Sequence, residues 1–313
     1  MIISLHLRKA HYLAGMMMKN ITDFLLCPIC RSDLASDNMH LVCKNNHNFI
    51  IKNGIWFLDS QGVVPSKTNS VWDKTYDQAN ISYFQDKLGY YRDKTDDVVF
   101  NEYYTFIDLL KKNVDGNKIG NYLDIGCGTG SYSLALNFAF DVDATVLVDK
   151  SLSALLIAKN LFKHFDIDCI LIYTDAQNLP FKNKMFDLSI TSGLFEHFDK
   201  AGQEQLVSEQ CRVSKLISCH VPMDCMPYWI YRKIVELRNR GWPLGYEKPM
   251  KRSECIRLFR KNGFREVDYS VHNLFSSLLF SKKEYSVFKH IYNKYIADLF
   301  FAYEFVQVYS QID

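Results

Sequence analysis

The stretch "LDIGCGTGSY", Leu123–Tyr132, decides how this chain is read. A short apolar run ends at Gly126, glycine returns at Gly128 and Gly130, and helical spacing starts at once in "SYSLALNFA". Glycine is needed where backbone takes positive φ or lies close against a ligand. A helix that starts at such a loop presents N–H groups with no partner inside the helix. A dinucleotide loop would read G-x-G-x-x-G, with an acid about 20 residues further on. Here the third glycine comes one position early, and an acid, Asp124, precedes the loop. Beside a pyrophosphate, Asp124 would set negative charge against negative charge. It suits a ligand that carries a cationic amine.

Outward from this loop the pattern alternates. "ATVLVD" reads as a strand, "LSALLIAKNLFKHF" as a helix, and "DCILIYTDA" and "FDLSITSG" as strands. "QEQLVSEQCRV" then reads as a helix and "KLISCHVP" as a strand. Such alternation predicts βαβ units with right-handed connections and a parallel sheet covered on both faces. Further on, "SECIRLFRKNGF" predicts a helix stopped at Asn262-Gly263, followed by a strand "REVDYSV", a helical insertion and a last strand "FFAYEFVQVY".

Three acids fall at the carboxyl ends of predicted strands: Asp124, Asp149 in "ATVLVD" and Asp175 in "YTDAQNLPF". Each alone also fits a helix N-cap or a turn. Together with the glycine loop they mark the place where open α/β sheets bind ligands. A carboxylate at the Asp149 position can accept both ribose hydroxyls of an adenosine.

The pieces "LDIGCGTG", "VLVDKSLSALLIAK", "TDAQNLPFKNKMFDLSITSGLFEHF" and "KLISCHVP" resemble the class I S-adenosylmethionine-dependent methyltransferases, from about Tyr122 to Pro222. The resemblance implies an α/β, Rossmann-like sheet of seven strands with the last antiparallel, helices on both faces, and S-adenosyl-L-methionine as methyl donor. It assigns the methionine end of the donor to Asp124 and to the loop Gly126, Cys127, Gly128, Thr129 and Gly130. Asp149 and Lys150 go to the ribose side, Asp175 and Ala176 to the adenine, and Ser192 and Gly193 to the sulfonium. The chain departs from the family in "CRVSKLISC", which goes almost directly from helix to strand without the usual glycine-rich turn.

Methyl transfer from an activated donor needs chiefly a positioned nucleophile, and a base only where the acceptor loses a proton. "GLFEHFDK" offers Glu196 and His197 past the fourth strand as catalytic candidates; histidine titrates near neutral pH. The aromatic and basic "MPYWIYRKIVELRNRGWPLGYEKPM" offers Tyr228, Trp229, Tyr231, Trp242 and Tyr246 as an acceptor pocket, or equally as helix core. From Met226 to Glu266 there are eleven Lys/Arg and four Asp/Glu, while Asn121 to Lys200 carries six and ten. A basic segment interleaved with aromatics suits stacked bases as well. Three functions follow: O- or N-methylation of a small molecule, the favoured one; methylation of an RNA base; and a non-catalytic cofactor-binding scaffold for a partner enzyme.

The N-terminal part adds a second chemistry. "LLCPICRSDLASDNMHLVCKNNHNF" holds Cys27, Cys30, Cys43 and His47 as C-x2-C and C-x3-H. Four N/S ligands are the number for a closed structural zinc site. "FIIKNGIWFL" predicts a hairpin at Asn53-Gly54. The stretch resembles the zinc modules of rRNA guanine methyltransferases and the small zinc-ribbon modules associated with other methyltransferases. This divides the chain into a zinc-ribbon-like module at 20–60 and a methyltransferase domain at 71–313. The latter has a helical N-terminal lid at 71–114 and an acceptor-side insertion at 223–262. The module is expected to fold independently and to sit near the acceptor entrance.

The 313 residues, 48% hydrophobic and 23% charged with a formal net charge of +2, exclude a disordered chain. No run reaches about 18 uninterrupted apolar residues, so no membrane partner is expected. His6, Arg8, Lys9 and His11 interrupt the first apolar run and argue against a signal peptide. Nine scattered cysteines fit thiols in a reducing, cytoplasmic setting.

Overall fold

The computed structural model describes residues 21–37, 40–60, 103–242, 244–273 and 302–312, with Trp72, Tyr76, Ser82, Gln85, Asp86, Leu88, Gly89 and Arg92. The reading of the first 20 residues, most of the lid and the helical insertion before "FFAYEFVQVY" lie outside the described residues.

The central frame is a parallel sheet in the spatial order β7-β6-β5-β8-β9. These strands are β5 (Lys118–Ile125), β6 (Asp141–Asp149), β7 (Ile170–Tyr173), β8 (Phe186–Ser192) and β9 (Ser214–Pro222). β11 (Ala302–Gln311) lies antiparallel to β9, and β10 (Phe264–Asn273) antiparallel to β11. Seven strands with the last reversed are what the resemblance implied. The chain winds outward from β5 to β7, then returns to the other side of β5 to form β8. That reversal opens a crevice at the carboxyl ends of the strands.

Side chains alternate across the sheet and feed two cores. Leu123 and Ile125 of β5 face one, with Leu206 and Val207 of α4 (Lys200–Val213) and Phe259 of α6 (Arg252–Lys261). Tyr122 of the same strand faces the other, with Phe106 of α1 (Tyr104–Asn113), Leu134 of α2 (Ser131–Ala139) and Leu161 of α3 (Leu152–His164). α3 starts where the Ser151 side chain accepts from the Ala154 N–H, a cap that contributes about 1 kcal/mol. α4 starts at Asp199, which caps the Gly202 N–H, and its C-cap Ser214 is already the first residue of β9. The direct helix-to-strand passage read in "CRVSKLISC" is present. α6 stops at Asn262, as its sequence predicts. Among the described residues, no helix is long and apolar enough to cross a membrane.

The N-terminal strands β1 (Leu34–Asp37), β2 (His40–Cys43), β3 (Asn48–Lys52) and β4 (Ile55–Phe57) form an antiparallel meander. Asn53 and Gly54 take φ of 54° and 72°, the pair of left-handed residues that a two-residue hairpin needs. The position of this meander corrects the sequence reading. β4 pairs in parallel with β7, Ile55 opposite Leu171 and Phe57 opposite Tyr173, so that all eleven strands make one sheet. Leu25, Leu41, Trp56 and Leu58 share a core with Leu123 and Val148. The module is thus fused to the edge nearest β7 and is not a separate unit. The reason is burial: β4 has three residues, all buried, and a strand so short has no stable place outside a larger sheet.

Candidate functional site

The crevice holds a cavity of about 540 Å³, a size that accepts a nucleoside-sized ligand. Eleven of the twelve residues assigned to the donor line it: Asp124, Gly126, Cys127, Gly128, Thr129, Asp149, Lys150, Asp175, Ala176, Ser192 and Gly193. Gly130 does not. It caps α2 at φ 73°, and a Cβ there would meet Phe162, Ala158 and Leu147 at 3.1–3.3 Å. Its role is close packing of helix against sheet.

The loop geometry follows from the glycines. Gly126 and Gly128 have positive φ, and the Gly126 and Cys127 N–H groups both donate to the Val148 carbonyl. Asp149 braces the loop: one carboxylate oxygen accepts from the Gly128 N–H at 2.8 Å, the other from the Ser151 N–H at 2.7 Å. A carboxylate oxygen has further lone pairs, so ribose hydroxyls remain acceptable partners. Asp175 accepts from the Gln177 N–H and pairs with Lys150 at 2.8 Å, tying the loops after β6 and β7 together. Asp124 is buried and accepts from the Ser133 hydroxyl. Burial, offset partly by Ser133 and reinforced by the nearby Asp149 charge, pushes its pKa up to about 7. A cationic group beside it would restore the ionised form.

Two further lining residues, Trp72 and Tyr76, come from the lid segment. Their rings stack at 6.2 Å, and the Tyr76 hydroxyl lies 2.7 Å from where a Cβ on Gly128 would stand. The sequence reading gave this segment as a lid. Aromatics four apart in "VWDKTYD" were the available signal for a helix face closing on the donor loop.

His197 lines the same cavity, on a short 3-10 turn after β8, and meets the Trp72 ring edge-on at 4.8 Å. Its Nδ1 lies 2.6 Å from the Tyr246 carbonyl. A carbonyl only accepts, so Nδ1 carries the hydrogen, and in the neutral ring Nε2 keeps its lone pair. Glu196 lies behind the cavity wall: it is 2% exposed and does not line the cavity, its Oε1 lies 4.0 Å from His197 Nε2, and burial raises its pKa well above the usual carboxylate range.

The five aromatics assigned to the acceptor do not line the cavity. On α5 (Met226–Asn239), Tyr228 is buried and donates to Glu247 at 2.7 Å, and Trp242 Nε1 donates to the same carboxylate at 2.9 Å. The Arg232 guanidinium lies 5.0 Å from the Trp242 ring and 5.6 Å from that of Trp229. Tyr231 packs against Trp242 and Tyr303. Trp229 and Tyr246 are 48% and 61% exposed. Tyr228 thus fits the helix-core alternative, Trp229 and Tyr246 do not, and the Tyr246 carbonyl meets His197 of the cavity.

Cys27, Cys30, Cys43 and His47 converge, with their ligand atoms all within 4.8 Å of one another. Cys30 Sγ and Cys43 Sγ are 3.7 Å apart, and His47 Nδ1 lies 3.5 Å from Cys27 Sγ and 3.3 Å from Cys43 Sγ. Tetrahedral zinc with S ligands at about 2.3 Å sets neighbouring ligand atoms roughly 3.5–3.8 Å apart, so the donor set fits. The Ser32 side chain and backbone pull the Cys30 thiol down to about 5, which favours the thiolate a metal takes.

Comparison with known proteins agrees with this geometry. Residues 123–216 match the model of a family described as a methyltransferase domain. Two uncharacterized proteins of Methanocaldococcus jannaschii are similar. MJ0638 is 31% identical over 123 residues, 39% of this chain and 48% of that protein. MJ1252 is 33% identical over 118 residues, 37% of this chain and 40% of that protein. The matched span is thus under half the length of either relative. A chain from a solved complex of the Haloferax volcanii Trm112 methyltransferase activator superposes with a TM-score of 0.53 at 12% identity, over 79% of this chain and 100% of that one. At that identity the likeness concerns the fold. The chain carries a methyltransferase domain on a Rossmann-like α/β sheet.

Proposed function

We propose that the protein transfers the methyl group of S-adenosyl-L-methionine to an oxygen or nitrogen of a small molecule, with His197 as the base. The donor, when bound, supplies an electrophilic sulfonium methyl. The chain's own residues do the rest. Asp124 pairs with the amino group, the loop from Gly126 to Thr129 accommodates the methionine end, Asp149 accepts the ribose hydroxyls, and Asp175 and Ala176 border the adenine. The acceptor lone pair forms the new bond to carbon, the carbon–sulfur bond breaks to a neutral thioether, and the acceptor proton passes to Nε2 of His197. The observation that carries this reading is the place of His197, whose ring lines the donor cavity while its Nδ1 lies 2.6 Å from the Tyr246 carbonyl.

Ion pairs engage three basic residues of the acceptor-side segment: Arg232 with Glu236, Arg252 with Glu266 and Lys261 with Glu204. Of these acids only Glu204 lies outside the segment, so its basic excess is left almost whole and the choice between a small molecule and RNA is left to the test below. The Cys27, Cys30, Cys43 and His47 set is read as a structural zinc site, because four protein ligands leave no open position for chemistry. The six cysteines outside that set, read as thiols, are in keeping with a reducing cytoplasm.

The test is release of S-adenosylhomocysteine on incubation with acceptor pools of amines, phenols and carboxylic acids, beside calorimetry with S-adenosylhomocysteine alone. Donor binding with turnover on one of these pools supports the reading. Donor binding with turnover only on RNA, and affinity for RNA falling steeply with salt, replaces the acceptor. Donor binding with no turnover on any acceptor favours the scaffold.

A further inference from the structure

The metal cluster and the donor cavity share one loop. After β7 the chain runs through residues 174–181, and Thr174, Asp175 and Ala176 line the cavity. The next residues of that loop are held by the knuckle that carries Cys27 and Cys30. The Arg31 N–H donates to the Cys27 carbonyl and the Cys27 N–H to the Ser32 carbonyl, both at 2.8 Å, closing the knuckle with Arg31 at φ 59°. From there the guanidinium reaches across: Nη1 donates to the Leu179 carbonyl at 2.6 Å, and Nη2 donates to the Asn178 side-chain oxygen. Asn178 returns the contact through its Nδ2, which donates to the Pro28 carbonyl at 2.9 Å. Leu26 N–H donates to the Pro180 carbonyl, and Lys182 N–H to the Phe24 carbonyl.

On the other side the same loop is held by the end of β4. Leu58 N–H donates to the Tyr173 carbonyl, and the Thr174 hydroxyl donates to the Leu58 carbonyl at 2.8 Å. Within the loop, Asn178 N–H donates to the Asp175 carbonyl and Gln177 N–H to the Asp175 carboxylate. Asp175 therefore sits three residues from an anchor that belongs to the metal knuckle. The Arg31–Glu209 ion pair at 3.3 Å has a partly exposed guanidinium and contributes little by itself. The bonds to Leu179 and Asn178 are the specific part.

We propose that Arg31, with Asn178, is a positioning residue for the adenine side of the donor cavity, so that metal occupancy at the cysteine cluster and donor binding strengthen each other. The proposal rests on the donor and zinc readings above. A knuckle without its metal loses the turn that aims Arg31, because a small metal module takes its folding energy from the ion. The loop then keeps the bonds of Leu179 to Arg212 and Glu209 but loses those of Asn178 and Leu179 to Arg31 and of Asn178 to Pro28, and the donor must order the part next to Asp175 on binding. Coupling between two sites is reciprocal, so donor binding must also retain the metal.

The experiment uses the full chain, purified with zinc. Calorimetry with S-adenosylhomocysteine is run on zinc-loaded wild type, on wild type after mild chelation, and on Arg31→Ala and Arg31→Lys at full zinc content. Zinc release to a chromogenic chelator is timed with and without S-adenosylhomocysteine. We expect chelated wild type and zinc-loaded Arg31→Ala each to bind about tenfold more weakly, within the range usual for coupled sites. Arg31→Lys should recover part of the loss. S-adenosylhomocysteine should slow zinc release from wild type and have much less effect in Arg31→Ala.

Zinc-loaded Arg31→Ala that binds as wild type overturns the proposal, even if its melting temperature is lower, because that pattern is a purely structural role. Zinc release indifferent to S-adenosylhomocysteine overturns it as well. Wild type that binds S-adenosylhomocysteine but carries no zinc removes the metal reading. Zinc-loaded Asp149→Ala with unchanged affinity removes the donor reading.

Discussion

The two halves of the crevice differ in how their polar groups are used. On the side of β5, β6 and β7, Asp124, Asp149 and Asp175 stand in one cavity and are braced by the Ser133 hydroxyl, by backbone N–H groups and by Lys150. On the side of β9 and α5, Tyr228, Trp242 and Arg232 are turned toward Glu247 and toward one another, and none lines the cavity. One half presents chemistry to a ligand and the other spends its polar groups internally. The donor half is built for a fixed molecule and carries a recognisable pattern. The other half, to which the sequence assigned the acceptor, carries no such pattern, and its contact with the cavity is the Tyr246 carbonyl beside His197.

The largest effect should come where the halves meet. His197→Ala is expected to lower kcat by about 10²–10⁴-fold, the usual worth of a positioned base, with donor affinity within a few-fold of wild type. Rate constants measured at saturating donor check this, and an unchanged kcat would move the base elsewhere. Asp149→Ala comes next. Lost hydrogen bonds to a charged acceptor at about 1.5–3 kcal/mol each imply a loss of donor affinity of roughly a hundredfold, read by calorimetry.

A pH titration of donor binding sharpens the role of Asp124. Its pKa is raised from 3.8 to about 7 by burial. The donor-free native state therefore binds a proton that the unfolded chain releases, and this contribution to stability declines as pH rises across that window. A ligand that pairs with the ionised form must expel the proton. Donor affinity should fall below about pH 7, by up to tenfold per unit, and level off above it. Asp124→Asn should remove the dependence. The smallest effect belongs to the acceptor half: Tyr228→Phe deletes the hydroxyl bonded to Glu247 and should lower stability by about 1–2 kcal/mol while leaving KM for the acceptor unchanged. A raised KM without loss of stability would return Tyr228 to the acceptor site.

Much of the fold was legible in the sequence because the determinants are local. β5, β6 and β8 run into glycine or aspartate at their carboxyl ends, α3 and α4 carry Ser151 and Asp199 caps, and Asn53-Gly54 fixes its hairpin. Eleven of the twelve residues assigned to the donor fall in one cavity for the same reason. What could not be read depends on distant pairing. Nothing in "IWF" says that β4 will lie beside β7, since a short, fully buried strand fits any sheet edge. Arg31 escaped notice because its partners, Leu179 and Asn178, are 148 and 147 residues away. The roles of the aromatics from Tyr228 to Tyr246 and of Glu196 could not be read either, because rings on a helix satisfy one another as readily as a ligand, and pattern alone does not report burial.

The parallel pairing of β4 with β7 also bears on how the protein is made. Leu58 and Thr174, which clasp each other at the end of that pairing, are 116 residues apart. During synthesis the N-terminal meander emerges long before its partner strand exists. Until β7 appears, β4 offers an unpaired backbone and the side chains of Ile55, Trp56 and Phe57 to the surroundings, the kind of edge that invites wrong partners. Closing so long a loop is slow. On the structural-zinc reading, early metal capture by the cysteine cluster would hold the meander in register during the wait, and the cluster would then serve biogenesis as well as the finished fold.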